Sequence, residues 1–333
     1  RIGIAARDLS GLAPMETVAM WLSDLADSVL EAALAVARAE VGAPSECCRL
    51  AVIGMGKCGA RELNYVSDVD VIFVADGDLD IATRLAMDTM KGIGELAVEP
   101  PLWEVDANLR PEGKDGALVR TLASHVGYYE RWAQTWEFQA LLKARAMAGD
   151  IELGMAYVDA VLPMVWNATA RPNFVSDVQI MRKRVEREIP DDELHRELKL
   201  GPGGLRDVEF SVQLLQLVHG RTDVTLRSRN TMAALEALAT WGYVGREDAA
   251  AMATSYRFER TLEHRIQLLD LRRTHLIPTD EQQLRTIARS LQFRSEPLAE
   301  LEKALKFHTK DVRRIHEKIF YRPLLQAVAR LDA

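Results

Sequence analysis

The stretch NYVSDVDVIF, Asn64 to Phe73, decides how this chain is read. Two aspartates one residue apart open a run of Val, Ile and Phe, the composition of a buried strand. Carboxylates carried toward an apolar interior are costly unless something pairs with them. Two explanations stand open: a cap or turn at the strand mouth, or a metal site. Alternate side chains of a strand share a face, so Asp68 and Asp70 point one way and Val69 and Val71 the other.

Working outward, RLAVIGMG (Arg49 to Gly56) and VDVIFVAD (Val69 to Asp76) both read as strands. The segment between them, GMGKCGARELNYVSD, carries Gly54, Gly56 and Gly59, where backbone can approach a phosphate closely, and Lys57, a point charge for one. Its spacing is neither a Walker loop nor a dinucleotide fingerprint, and the glycines serve equally well as plain turn formers. A helix is expected over Ile81 to Leu96 and a third strand in PLWEVDANLR, Pro101 to Arg110. There Trp103, Val105, Ala107 and Leu109 form an apolar face, and Glu104, Asp106, Asn108 and Arg110 a polar one. Asp68, Asp70 and Asp106 can thus meet across neighbouring strands. Clustered carboxylates repel, and Mg²⁺, which prefers oxygen ligands and accepts substrate phosphate as well, removes the conflict.

The chain has 333 residues, 48% hydrophobic and 27% charged, with a net charge of −7 and a pI near 5.6. That size fits two domains. The acidic balance argues against a dedicated nucleic-acid binder. No apolar run is long enough to cross a bilayer and no signal peptide is visible, so a cytoplasmic location without membrane is expected. Cys47, Cys48 and Cys58 read as reduced thiols, not a disulfide framework. The chain opens on Arg1, not Met, as a piece of a longer protein does.

Leu12 to Ala43 is alanine- and leucine-rich with helical spacing, ended by Gly42, Ala43 and Pro44. Beyond about Thr121 strand signals largely vanish. HVGYYERWAQTWEFQALLKARAM, DVQIMRKRVEREI, LRDVEFSVQLLQLVHG and two later stretches carry helical periodicity. The expected fold is α+β: a helical segment over 1–45, an α/β core over 46–150 and a helical domain over 151–333. MRKRVERE reads as a solvated helix face, Trp132 and Trp136 as core, and the seven histidines as surface or packing residues with no metal spacing.

A strand, a glycine turn, a DxD on a second strand and a third Asp on a later one resemble a nucleotidyltransferase core of the DNA polymerase β type. More specifically, GMGKCGARELNYVSDVDVIF, VDANLRPEG, TWEFQALLKARAMAGD and LKLGPGGLRDVEF resemble the bifunctional glutamine synthetase adenylyltransferase/adenylyl-removing enzymes. The resemblance runs from about Ala51 through Gly220. KLGPGGLRDVEF, with Arg206 after the glycine pair, and GMGK resemble the adenylyl-removing half. One departure is Asn108, where the family often has Arg.

The resemblance implies phosphorolysis of adenylyl-tyrosine on glutamine synthetase, releasing ADP. Asp68, Asp70 and Asp106 would hold Mg²⁺. Gly56, Lys57, Ser67, Arg110, Lys143, Arg145, Arg206 and Glu209 would bind nucleotide or phosphate. Lys143 and Arg145 lie two apart on an expected helix and splay. Arg206 stands at an expected helix start, where backbone N–H groups favour an anion such as orthophosphate. Glu209 is placed to orient Arg206, reach the metal or form an intrahelical pair. The implied partners are glutamine synthetase, nucleotide, orthophosphate and the PII signalling protein. ATP-dependent adenylylation, or a non-catalytic module binding PII or nucleotide, are the other readings.

Overall fold

The structure, a computed structural model, describes residues 1–94 and 103–322. The chain divides into two compact units, one of 1–6 with 16–168 and the other of 7–15 with 169–333.

The first unit is built on a small sheet. After α1 (Ile2–Leu9), which the sequence reading lacked, comes the long α2 (Met15–Val41). Val18, Leu22, Ala26, Leu30, Leu34 and Ala37 recur every three or four residues along α2 and all are buried. Each such leucine contributes roughly 1.5–3 kcal/mol relative to an exposed one. A 3₁₀ turn (Ala43–Cys47) leads into β1 (Cys48–Gly54), the short α3 (Gly56–Gly59) and β2 (Asp68–Gly77). β1 pairs antiparallel with β2 along its whole length, from Cys48 opposite Gly77 to Gly54 opposite Val71. Val71 to Val74 are buried on both faces of β2, which explains the unbroken apolar run after Asp70.

α4 (Leu79–Gly94) then crosses back, and two short strands lie parallel to β2. β3 (Glu104–Asp106) pairs with Asp68–Asp70, and β4 (Val119–Thr121) with Phe73–Ala75. The third strand is therefore shorter than expected, with Pro101 and Leu102 outside the described residues, as are Glu95 and Leu96 at the end of the expected helix. Its apolar face holds: Trp103, Val105 and Ala107 are buried. β4 was not expected, being three residues long.

α5 (Leu122–Arg131) and α6 (Thr135–Leu141) follow, then β5 (Arg145–Gly149), antiparallel to β1, and α7 (Ile151–Asn167), which packs on β1 and β5. β5 corrects the sequence reading, which placed LLKARAM on a helix. Leu, Ala, Met, Lys and Arg are strong helix formers; pairing with β1 overrides that preference. Trp132 and Trp136 are corrected too. They are 69% and 38% exposed, outside the core.

The second unit is helical: α8 (Phe174–Arg187), α9 (Leu205–His219), α10 (Thr231–Thr240), α11 (Arg246–Asp270), α12 (Glu281–Ser290) and α13 (Pro297–His316), continued by a π-helical turn (Glu317–Tyr321). Leu198, Leu262, Ile266, Ile277, Ile287 and Leu301 form one apolar cluster. Beside it runs a buried ionic network. Arg182 and Asp207, both fully buried, pair at 2.6 Å; Asp207 also accepts from the Gly203 backbone at 2.7 Å. MRKRVERE is thus only partly a solvated face, because Arg182 turns inward to meet Asp207.

Three histidines, His125, His264 and His316, are buried. Burial lowers His125, in the sheet-bearing unit, to about 4, with Phe73 O 3.4 Å from Nε2. A histidine depressed in the folded state keeps its stability contribution above the unfolded value near 6.5 and loses it as pH falls toward 4, because the unfolded chain binds the proton first. The unit is expected to lose up to about 3 kcal/mol over that window from this group. His125→Phe should flatten the dependence in urea unfolding at pH 7 and pH 5.

Candidate active site

The site grows from the parallel register of β2 and β3. Asp68 stands opposite Glu104, and Asp70 opposite Asp106. Because alternate residues share a face, Asp68, Asp70 and Asp106 lie on one side of this strand pair, all half-buried. Asp106 Oδ1 accepts from the Asn108 backbone at 2.7 Å, which turns the chain away from the sheet just after the carboxylate. Ser67 sits half-buried immediately before β2.

The glycine segment closes on the same carboxylates. Met55 N donates to Asp70 O at 2.8 Å. Gly56 has a φ of +51°, and a Cβ there would stand 2.3 Å from Asp70 Oδ2. Only the bare backbone leaves that oxygen its room. Gly59 is equally constrained by space: a Cβ would meet Lys143 O at 2.1 Å and Gly54 O at 2.4 Å. Lys57 lies buried on α3 between these glycines.

Lys143 and Arg145 both hold this turn from beneath. Lys143 Nζ pairs with Glu62 at 3.0 Å, with both side chains under 10% exposed. Arg145 grips Asp27 of α2 with two bonds of 2.6 and 2.8 Å, and donates to Cys58 O at 3.1 Å and Gly59 O at 3.3 Å. Arg110 donates to Ala107 O, Lys114 O and Gly116 O at 2.9–3.0 Å, shaping the loop after β3.

Arg206 and Glu209 belong to the helical unit. Arg206 Nη1 lies 3.4 Å from Glu209 Oε2, an i,i+3 pair on the first turns of α9. The backbone donors expected there to greet an anion are already engaged. Gly203 N bonds Asp207 Oδ2, Leu205 N bonds Leu198 O, and Arg206 N bonds Lys199 O. The chain caps its own helix start, because Asp207 folds back on it.

Three participants escaped the sequence reading. Asp27 and Glu62 are ordinary helix and loop acids until folding sets them against Arg145 and Lys143. Asn64, in the loop before β2, is fully buried, and neither Oδ1 nor Nδ2 has a hydrogen-bond partner among the described residues. Its place four residues before Asp68 was the available signal.

An all-oxygen donor set on adjacent strands suits a hard divalent cation that completes its shell with water and phosphate. Among the described residues no three His, Cys, Asp or Glu side chains are gathered closely enough to hold an ion alone. Asp68, Asp70 and Asp106 thus share a face without being drawn together into a metal site.

Strand pairing and carboxylates together define a mixed α/β protein with an acidic, oxygen-rich site at the mouth of its sheet. Residues 1–159 match the family of glutamate-ammonia ligase adenylyltransferases, and residues 179–320 that of GlnD PII-uridylyltransferases. Bifunctional glutamine synthetase adenylyltransferase/adenylyl-removing enzymes of Streptomyces avermitilis and Streptomyces coelicolor are each 59% identical over 99% of this chain. That of Corynebacterium glutamicum is 53% identical, again over 99%. Along nearly its whole length the chain is similar to bifunctional glutamine synthetase adenylyltransferase/adenylyl-removing enzymes. It spans about a third of the length of these relatives, 34% of each Streptomyces protein.

Lys143→Met is expected to remove the Nζ–Glu62 ion pair from the interior and cost about 3–5 kcal/mol. Lys143→Met with Glu62→Leu should recover most of that loss in urea unfolding, since both charges of the buried pair are then gone.

Proposed function

We propose that this chain removes AMP from the adenylylated tyrosine of glutamine synthetase by Mg²⁺-dependent phosphorolysis, giving ADP and the unmodified synthetase. The observation that carries the reading is the register placing Asp70 opposite Asp106 with Asp68 on the same face. Identity of more than half with relatives that bear both activities in their name supports the substrate. The removing half is favoured by Arg206 in KLGPGGLRDVEF and by GMGK. The core is proposed to be of the polymerase-β nucleotidyltransferase type.

In this reading Asp68, Asp70 and Asp106 hold Mg²⁺, which when bound neutralises charge on the phosphoryl oxygens and the leaving phenolate. The glycine turn approaches the nucleotide phosphate with bare backbone, beside Lys57 and Ser67. Lys143 and Arg145 act from behind, keeping that turn in place through Glu62, Asp27 and two backbone carbonyls. A tyrosine phenol with a pKa near 10 is a fair leaving group, and orthophosphate arrives already anionic, so positioning and charge stabilisation dominate. The match of residues 179–320 to PII-uridylyltransferases supports PII as a regulatory partner. Among the described residues no helix is long and apolar enough to cross a membrane, which suits a cytoplasmic enzyme.

Incubated with adenylylated synthetase, Mg²⁺ and orthophosphate, the chain is expected to release ADP. Incubated with unmodified synthetase and ATP, it is expected to incorporate no AMP; incorporation would reassign it to attachment. Asp70→Asn should lower the rate by more than about 10³-fold with unchanged circular dichroism. Chelation of the metal should stop turnover reversibly.

A further inference from the structure

Part of MRKRVERE lines a cavity of about 570 Å³ within the helical unit, at the edge of the ionic network. α8 contributes Lys183, Glu186 and Arg187, one helical face by spacing; α13 and the π turn contribute Arg313, Glu317, Tyr321 and, just beyond, Arg322. Four cationic side chains thus face two carboxylates, leaving two positive charges in a chain whose net charge is −7.

The cations differ in what surrounds them. Arg313 is fixed by Glu186 at 2.9 Å and Glu317 at 2.9 Å, with Asp207 at 3.4 Å behind, and these partners hold its guanidinium firmly charged. Lys183 Nζ stands 5.0 Å over the Tyr321 ring. Arg187 and Arg322 are exposed and have no carboxylate within ion-pair distance among the described residues. Burial pushes the Tyr321 phenol up to about 12, so it remains a hydrogen donor; its hydroxyl has no hydrogen-bond partner among the described residues. The wall carrying Glu317 and Tyr321 is π-helical, an irregularity that is frequent at functional sites and here turns both side chains into the cavity rim.

One fixed guanidinium, three cations without acidic partners among the described residues and a volume in the range of small-ligand sites make a receptor for a compact dianion. We infer that this cavity binds a phosphoryl group, either free orthophosphate or the phosphate of a small molecule such as a nucleotide, at a site separate from the strand carboxylates. The inference does not depend on the proposed activity, because none of these residues takes part in it.

The test is calorimetric titration of the whole chain with orthophosphate, with ADP and with NaCl at matched ionic strength. Saturable binding of phosphate or ADP is expected, weakened at least tenfold by Lys183→Ala with Arg187→Ala and by Arg187→Glu, and retained in Asp70→Asn. These positions are exposed, so circular dichroism should not change. Tenfold tighter binding of ADP would assign the ligand to a nucleotide, and equal affinities to free phosphate. Binding unchanged in the Lys183 and Arg187 variants, or lost only in Asp70→Asn, or matched by NaCl, would overturn the inference.

Discussion

The parallel pairing of Asp68–Asp70 with Glu104–Asp106 is the constraint on which the rest of the sheet-bearing unit depends. A strand register slipped by one residue would carry Asp106 to the buried face and turn Trp103, Val105 and Ala107 out of it. Those three apolar side chains, all buried, hold the register by the cost of the alternative. β2 is secured along its other edge by seven residue pairs with β1, so the carboxylates stand on a strand that cannot drift.

Cationic side chains in this unit stabilise the site from a distance. Arg145 spans α2, the carbonyls of Cys58 and Gly59, and its own strand β5, joining three elements with one guanidinium. Its planar fork suits that task better than an ammonium would. Lys143 and Glu62 form a compact buried pair beside it. Buried pairs of this kind add little net stability but make one arrangement far better than its neighbours, since any shift leaves a charge without its partner. The glycine turn is thereby held open next to Asp70.

The helical unit uses the same logic around Asp207, which meets Arg182, Arg313, the Gly203 backbone and, at 3.4 Å, His316. Burial drives His316 down to about 4, so the ring stays neutral near pH 7 and adds no third cation to the cluster. The start of α9 is consumed by this network. On the outer turns of α8 and past the π turn stand the further cations Lys183, Arg187 and Arg322.

The order β1, glycine turn, β2 and the pairing of Asp68 with Asp70 on one face were set by the sequence alone, because period-two alternation and a continuous apolar run leave few other conformations. The polar and apolar faces around Asp106 were equally legible. Tertiary structure alone decided that Arg145–Gly149 is a strand, since its residues favour helix and only β1 supplies the pairing. It alone decided that Lys143, Arg145 and Arg182 face acids a long way off in sequence. Ion pairs of that kind leave no periodic trace in a chain; they exist only once folding has brought the two charges together.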